Sequence, residues 1–259
     1  MHSTFKISIA GSGKVARAFS HALKAADFPI AQIISRNSSS GQNLADEVGA
    51  EYITFDVSVE SVDIIAILVS DDAISEVSSI LPSNIPQIHA SGVTGLDALK
   101  SVIKGVVWPI KSINSKCSNS SLKGTPMAIE TNDEGLSNAL TSVVESIGGS
   151  GFSADTSQRS IIHLAAVFTD NFANHCLTLS QEILKGANLN PKLMSALAQG
   201  LIDGAEKGDS VSRQTGVALR GDLGSQLKHL DLLEGEAKKD FYKFLSKQIK
   251  EYHELQGKA

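Results

Sequence analysis

The chain has 259 residues, of which 42% are hydrophobic and 20% are charged, and its formal net charge at pH 7 is −5. This composition is typical of one large or two ordinary globular domains with a buried core. The mild acidic balance, without a Lys/Arg-rich stripe, excludes nucleic acid as an expected partner, and no apolar run reaches the length of a membrane-spanning helix.

Strands and helices alternate along the first 155 residues. Apolar runs predict strands at 5–10, 30–35, 51–55, 64–69, 86–90, 105–110 and 127–130, with an edge strand at 151–154. Apolar residues at helical spacing predict helices at 14–26, 42–48, 73–81 and 133–147. This alternation is typical of a parallel, doubly wound sheet of the Rossmann type, so we predict an α/β fold.

The sequence pattern changes near residue 155, and no convincing strand is predicted beyond it. Four helical segments follow, at about 157–185, from 191 onward, at about 222–233 and at about 236–255. Asn190 and Pro191 are typical of the cap and the first position of the second helix. We therefore predict two domains, a Rossmann-like domain at 1–155 and an all-helical domain at 156–259.

The first predicted strand ends in a glycine turn. Gly11-Ser12-Gly13 is followed by Ala16 in the third small position of a G-x-G-x-x-G/A pattern. The first glycine permits a tight turn, the second lets the backbone approach a pyrophosphate, and the third small residue allows close packing of helix and strand. Amide groups at the helix start then bind phosphate. We interpret the turn as a dinucleotide site; the alternative is a turn that uses glycine for steric reasons alone.

The residue after the second strand predicts which dinucleotide is bound. Arg36 stands where an enzyme for NAD would place an acid, and Asn37 and three serines follow it. A guanidinium can pair with a phosphate dianion, and hydroxyl and amide groups can donate further hydrogen bonds. We therefore predict NADP(H) as the cofactor. The alternative is a solvated loop arginine beside a flexible serine run.

Two further loops fall at the carboxyl edge of the predicted sheet, where ligands bind in this fold. They are 69–72 and 89–92, and both are expected to flank the ribose and nicotinamide. Asp72 is expected to cap the following helix. The predicted cofactor-binding residues are Gly11, Ser12, Gly13, Lys14, Val15, Ala16, Ser35, Arg36, Asn37, Val69, Ser70, Asp71 and Ser91.

The long helix at 157–185 carries a polar stripe. At about 100° per residue, this stripe consists of His163, Asp170, Asn174, Thr178 and Gln181, with Asn171 at its edge. Amide, imidazole and hydroxyl groups can orient a polar substrate and relay a proton, so we predict His163, Asn171 and Asn174 as catalytic. An ordinary surface face, or buried polar groups with satisfied hydrogen bonds, is the alternative.

A second polar cluster, 214–222, lies between predicted helices. Arg220 can bind a substrate carboxylate or phosphate, with a solvated loop arginine as the alternative. Asp222 is expected to cap the next helix, although it can also pair with Arg220. Lys111, which follows the strand at 105–110, is a further candidate for substrate binding. No metal site is expected.

The cysteines and the N-terminus bear on the cellular compartment. Cys117 and Cys176 are the only cysteines and are far apart, so we expect reduced thiols rather than a disulfide framework or a zinc site. The chain shows no signal-peptide pattern before the first strand, so a cytoplasmic location is expected.

Several segments together carry a resemblance to a known family. They are IAGSGKVA at 9–16, HASG at 89–92, WPIKS at 108–112, HLAAVFTDNFANH at 163–175 and QTGVALRGD at 214–222. In these segments the chain resembles bacterial Rossmann-like NADP oxidoreductases of the coenzyme-deazaflavin-dependent type, whose helical C-terminal half is a domain of unknown function. More distantly it is similar to pyrroline-5-carboxylate reductase and 6-phosphogluconate-dehydrogenase-like enzymes. The resemblance implies an NADP domain, a helical domain and a cleft between them.

The leading hypothesis is an NADP(H)-dependent oxidoreductase that transfers hydride to or from a small carbonyl or imine. His163, or a water held by Asn171 and Asn174, would manage the proton, and Arg220 would orient an anionic substituent. The alternative is an NADP(H)-binding regulatory or scaffold protein without turnover; a reductase acting on a deazaflavin is a third hypothesis. A homodimer through the helical domain is expected, because a helix this long needs cover on more than one side.

Overall fold

The computed structural model describes residues 5–113, 122–208 and 210–256. Cys117 and the Ser/Asn run at 118–121 lie outside these ranges. The chain divides into two compact units, Met1–Phe172 and Ala173–Ala259. No helix in the described ranges is both long enough and apolar enough to span a membrane.

One eight-stranded sheet forms the centre of the first unit. Its strands are β1 (Ile7–Ala10), β2 (Ile30–Ile34), β3 (Glu51–Ile53), β4 (Ile64–Ile67), β5 (Gln87–His89), β6 (Lys104–Pro109), β7 (Pro126–Thr131) and β8 (Ser150–Ser153). Their order across the sheet is β3-β2-β1-β4-β5-β6-β7-β8. The first six strands follow the Rossmann order, in which the direction of winding reverses between β1 and β4. The predicted α/β Rossmann-type fold is confirmed.

One strand pair departs from the predicted parallel sheet. β6 and β7 are antiparallel, with Val106 opposite Glu130 and Trp108 opposite Ala128. A parallel pair needs a crossover connection, which is usually a helix. Here the chain reverses direction between the two strands, and the described parts of their connection, 110–113 and 122–125, contain no α-helix.

Helices cover both faces of the sheet. They are α1 (Lys14–Ala25), α2 (Ser38–Val48), α3 (Ile74–Ile80), α4 (Glu134–Ser146) and α5 (Thr156–Ala166). On one face, Phe19 of α1, Leu44 of α2 and Leu140 of α4 share a core cluster with β1 and β2. On the other face, Ile74 and Val77 of α3 pack against β2 and β4. Burial on both faces explains why the central strands are almost wholly apolar.

The regular elements among the described residues of the second unit are all helices. The elements are α6 (Ala173–Gly186), a short 3-10 turn (Pro191–Met194), α7 (Ser195–Glu206), α8 (Leu223–Leu232) and α9 (Glu236–Gln256). The side chain of Asn190 accepts a hydrogen bond from the Lys192 amide, and Pro191 takes the first helical position. Asp222 caps α8 by accepting a hydrogen bond of 3.0 Å from the Ser225 amide. Both predicted caps are confirmed.

Candidate functional site

The turn after β1 has a backbone that requires glycine at its first position. Gly11 has a φ of +131°, and a Cβ atom there would stand 2.3 Å from the carbonyl oxygen of Leu68 at the end of β4. Its amide donates a hydrogen bond of 2.8 Å to the carbonyl of Ile34 in β2. The turn therefore passes directly over the point where the winding of the sheet reverses, which is where ligands bind in this fold.

The start of α1 is open to an anion. Gly13 takes the N-cap position, where no side chain caps the helix, and the first turn contains no acid. A Cβ atom on Gly13 would meet nothing within 4 Å. Uncapped amide groups at a helix N-terminus bind phosphate, and the space above Gly13 permits its close approach. These features fit a dinucleotide pyrophosphate.

The glycine turn borders a cavity of about 490 Å³. Its lining comes from six separate parts of the chain and consists of Gly11, Ser12, Gly13, Lys14, Val15, Ile34, Ser35, Arg36, Asn37, Phe55, Leu68, Val69, Ser70, Val77 and Ile113. Most of the predicted cofactor residues are among them. We call this space the switch-point cavity. Ala16, Asp71 and Ser91 do not line it: Ala16 is fully buried within α1, and Ser91 is buried in a different loop.

Hydroxyl groups cluster beside Arg36. The Oγ atom of Ser12 lies 2.9 Å from that of Ser35 and 2.7 Å from that of Ser40. The exposed Arg36 side chain borders the same cavity, and none of the described residues that line it is Asp or Glu. Such a set of donors, with no carboxylate to repel an anion, fits a ribose 2′-phosphate.

Asp72 does not cap α3 as expected. A 3-10 turn, Asp71–Ala73, precedes the helix, so the cap position falls on Ala73, which makes no side-chain hydrogen bond. Asp72 instead lies inside this turn and is exposed to solvent. The extra turn, which the residue spacing did not indicate, is the reason for the difference.

A second cavity, of about 670 Å³, lies between the end of β6 and the helix that follows β8. We call it the His163 cavity; it is lined by Trp108, Pro109, Ile110, Lys111, Ser112, Ile162, His163, Ala165, Ala166, Val167, Thr169, Asp170 and Asn171. Three predicted site residues therefore meet here: His163, Asn171 and Lys111. The Ser112 hydroxyl donates a hydrogen bond to the Asp170 carboxylate across the cavity wall. The imidazole of His163 contacts the indole of Trp108, with 5.7 Å between ring centroids.

The helix wall of this cavity is not a regular α-helix. Val167–Phe172 forms a π-helical segment that follows α5 directly. Such segments are rare and are frequent at functional sites. The polar stripe assumes about 100° per residue, as in an uninterrupted α-helix. Because the π-helical segment changes this rotation, the spacing does not show that residues beyond Phe172 lie on the same face as His163. Asn174 and Arg220 belong to the second unit, where both are exposed, and their roles and the expected interdomain cleft stay predictions.

A buried arginine, which the sequence analysis did not single out, lies behind the His163 cavity. The side chain of Arg159 in α5 is fully buried and pairs with Glu130 of β7 at 2.6 Å. It also donates hydrogen bonds of 2.8 and 2.9 Å to the carbonyls of Ser91 and Thr94. One sequence signal could have indicated the pair: an acid within an otherwise apolar strand needs a partner when it is withdrawn from water.

His89 is the last residue of β5, just before the loop that contains Ser91 and Thr94, and its side chain is uncharged near neutral pH. Burial lowers the pKa of His89 to about 4, and the positive charge of Arg159 also opposes its protonation, although a hydrogen bond to the Gly95 carbonyl favours it. The Ser91 amide donates to Nδ1 of His89 at 3.1 Å, which leaves the proton on Nε2, 3.4 Å from the Gly95 carbonyl oxygen. His89 therefore fixes the start and the end of the loop.

The pKa of His89 predicts an acid-sensitive stability. Between pH 6.5, the ordinary value, and about 4, the unfolded chain binds a proton that the folded chain does not, so the free energy of unfolding falls as the pH falls through this range. From pH 7 to pH 5 we expect the His89 contribution to fall by about 2 kcal/mol. Denaturant titrations of wild type and His89→Gln at both pH values would measure it. If the free energy of unfolding fell by the same amount between pH 7 and pH 5 in both proteins, the lowered pKa of His89 would be contradicted.

The described residues offer no metal-binding group: no three His, Cys, Asp or Glu side chains among them cluster closely enough to hold an ion. Cys176 is exposed and unbridged.

In the second unit, a largely apolar cavity of about 570 Å³ lies between α6, the 215–218 segment and α9. Neither Asn174 nor Arg220 lines it. Ser225 lowers the pKa of Asp222 through backbone and side-chain hydrogen bonds, and nearby Arg220 contributes less.

Strand order, glycine turn and switch-point cavity together define a Rossmann-type domain followed by a helical unit. Residues 125–249 match a family model described as a domain of unknown function, DUF2520. This match extends from β7 into α9 and includes the whole helical unit up to residue 249. No curated protein matches the chain.

Solved structures share this architecture over nearly the whole chain. BF3122 from Bacteroides fragilis, assigned as an NADP oxidoreductase, is 27% identical with a TM-score of 0.87, covering 96% of this chain and 100% of its own. Pyrroline-5-carboxylate reductase from Streptococcus pyogenes is 14% identical with a TM-score of 0.62, covering 96% and 100%. A reductive aminase from Aspergillus terreus, solved with NADPH and ethyl-5-oxohexanoate, is 11% identical with a TM-score of 0.70, covering 95% of each chain. The resemblance predicted from the sequence is confirmed.

Proposed function

We propose that the protein is an NADP(H)-dependent oxidoreductase that transfers hydride to or from a small carbonyl or imine. The observation that carries the proposal is the switch-point cavity, in which the glycine turn, the uncapped start of α1 and Arg36 border one space. The similarity to BF3122, assigned as an NADP oxidoreductase, supports the reaction class. The reductive aminase, which was solved with NADPH and a keto ester, supports a carbonyl or imine substrate.

Each part of the proposed site has a separate task. NADPH, when bound, supplies the hydride. Gly13 and the α1 amides hold the pyrophosphate, and Arg36 with Ser12 and Ser35 holds the 2′-phosphate. In the His163 cavity, the imidazole donates or accepts the substrate proton, directly or through a water held by Asn171.

Other predicted residues complete the proposal. Lys111 borders the His163 cavity and would orient an anionic substituent of the substrate. Asn174 and Arg220 would act from the helical domain, as proton relay and anion clamp respectively. We propose that 1–155 is the cofactor domain and that 156–259 is the substrate and dimerisation domain.

The experiment that tests this function is single-turnover oxidation of NADPH across a library of small carbonyls and imines. We expect loss of the nicotinamide absorbance with at least one member, at a rate far above that without substrate. Binding of NADPH without oxidation across the whole library would contradict the proposal.

Arg36 predicts the choice between NADPH and NADH. We expect Arg36→Ala to weaken NADPH binding by about 10-fold, because hydrogen bonds to a charged group contribute roughly 1.5–3 kcal/mol and this side chain is exposed. NADH binding should not change. Calorimetric titration would measure both, with Arg17→Ala as a matched control, since Arg17 pairs with Glu47 instead. Preference of the wild type for NADH would overturn the cofactor assignment.

A regulatory or scaffold protein that binds NADP(H) without turnover is the second candidate. The observation that favours it is the exposure of Asn171 and Asn174 to solvent, since a catalytic group works best in a desolvated site. Tight NADPH binding that changes the oligomeric state, without oxidation of any library member, would support this candidate.

We further propose that the helical unit forms a homodimer. Leu197 and Leu201, one turn apart on α7, are 69% and 70% exposed. Exposed apolar faces of this kind mark protein interfaces. We expect light scattering to show a dimer, and Leu197→Lys with Leu201→Lys to shift it towards the monomer. A monodisperse wild-type monomer would contradict the proposal.

A further inference from the structure

The loop after β5 is fixed by hydrogen bonds from three directions, two of which include buried bonds. Its own Ser91 hydroxyl accepts from the amides of Val93 and Thr94 at 3.2 and 3.0 Å. His89 accepts from the Ser91 amide. Arg159 donates to the carbonyls of Ser91 and Thr94. Residues 91–94, which we call the Gly92 loop, therefore have little freedom to move.

The Gly92 loop packs directly against two aromatic rings of the His163 cavity. A Cβ atom on Gly92 would stand 2.7 Å from Cε2 of Trp108 and 2.8 Å from Cδ2 of His163. The backbone of Gly92 therefore touches both the indole and the imidazole. Any shift of this loop relative to α5 would change how the imidazole lies against the indole.

Arg159 joins the elements that meet at these rings. It is one helical turn before His163 in α5, and its Nε and Nη2 atoms donate to Glu130 of β7 at 3.1 and 2.6 Å. Its remaining donors reach the Gly92 loop and the Thr156 hydroxyl. The planar guanidinium fork can hold a carboxylate and two carbonyls at once, whereas a lysine ammonium cannot do so in the same geometry.

We propose that Arg159 is a positioning residue that, with Glu130, holds the imidazole of His163 against Trp108 by tying α5 and the Gly92 loop to β7. A buried ion pair is weak evidence for stability, since apolar residues of similar volume often serve as well. What this pair provides is orientation, because its hydrogen bonds end on the backbone that touches both rings. The proposal rests on the proposed function only in that His163 handles the substrate proton.

The chain contains a single tryptophan, so its fluorescence reports on the surroundings of Trp108 alone. The imidazole of His163 lies against the indole. A quencher dissolved in water should therefore reach Trp108 more readily when the imidazole moves away from it.

The experiment is quenching of tryptophan emission by acrylamide, excited at 295 nm at one fixed pH, in the full chain without cofactor. We expect His163→Ala, which removes the imidazole and uncovers apolar surface, to raise the quenching constant at least about 2-fold over wild type. Arg159→Lys should remain folded, as judged by circular dichroism, yet show at least half of that increase. Arg17→Lys, in a surface Arg–Glu pair, should behave as wild type.

Glu130→Gln provides the second variant, since its amide oxygen still accepts from the guanidinium but without charge. It should also raise the quenching constant, even if Arg159→Lys does not fold. A wild-type quenching constant in either folded variant, or no change in His163→Ala, would overturn the proposal. With a substrate from the library, Arg159→Lys should lower kcat by about 10-fold and leave the Kd for NADPH unchanged. Because the fluorescence needs neither cofactor nor substrate, failure of the positioning role is distinguishable from failure of the proposed function.

Discussion

Alanine at Gly13 should lower the affinity for NADPH by about 10- to 100-fold, which corresponds to roughly 1–3 kcal/mol of steric overlap. The structure leaves the space above Gly13 empty, so the added methyl group meets no protein atom within 4 Å. It meets the pyrophosphate instead, if the backbone approaches the phosphate as this turn requires. Because the φ of Gly13 is −77°, which alanine adopts without strain, the free energy of unfolding should change by less than about 1 kcal/mol.

Gly11→Ala provides the contrasting result at the same turn. Its methyl group would stand 2.3 Å from a backbone oxygen at a φ of +131°, so we expect a loss of stability as well as of binding. Gly200→Ala in α7 is the matched control, since a Cβ there meets nothing within 4 Å and alanine favours the helix. Calorimetry and thermal unfolding measure both effects. Unchanged NADPH affinity in Gly13→Ala would place the cofactor elsewhere.

Loss of both His163 and Asn171 should reduce NADPH oxidation at least about 100-fold, since general acid–base catalysis contributes 10²–10⁴-fold. Both side chains line the His163 cavity, whereas the switch-point cavity contains neither. The Kd for NADPH should therefore stay within about 2-fold of wild type. Single-turnover absorbance and calorimetry, applied to the His163→Ala, Asn171→Ala double variant, separate the two quantities.

A matched double variant controls for loss of imidazole and amide groups elsewhere. His253→Ala with Asn138→Ala changes residues of α9 and α4 that line neither cavity. We expect this protein to oxidise NADPH at the wild-type rate. Turnover retained by the His163 and Asn171 double variant would remove these two residues from the site.

The sequence pattern predicted most of the fold because each element depends on local periodicity. The apolar run at Ile64–Ile67 is buried on both faces of the sheet, and such a run is typical of a central parallel strand. The direction of β7 could not be predicted in this way. The residue pattern of an apolar strand is the same for parallel and antiparallel pairing, so the direction of the strand depends on its connection and its partner strand.

The grouping of Gly11, Gly13 and Arg36 at the switch-point cavity was predictable for a similar reason: the two glycines are close in sequence, and Arg36 has a fixed place after the next strand. Arg159 and Glu130 were not. They are 29 residues apart, and an arginine in the first turn of a polar helix looks like a solvated one until its partner is known. The π-helical segment at Val167–Phe172 also leaves no mark in the spacing of apolar residues.

Transfer of deuterium from NADPH labelled at both C4 positions tests the central claim most directly. The protein would be incubated with the labelled cofactor and each carbonyl or imine of the library, and the products would be analysed by mass spectrometry. We predict one deuterium at the reduced carbon of an alcohol or amine, formed in step with oxidised cofactor. Bound NADPH that stays reduced, with no deuterium in any product, would contradict an oxidoreductase and favour a protein that binds the cofactor without turnover.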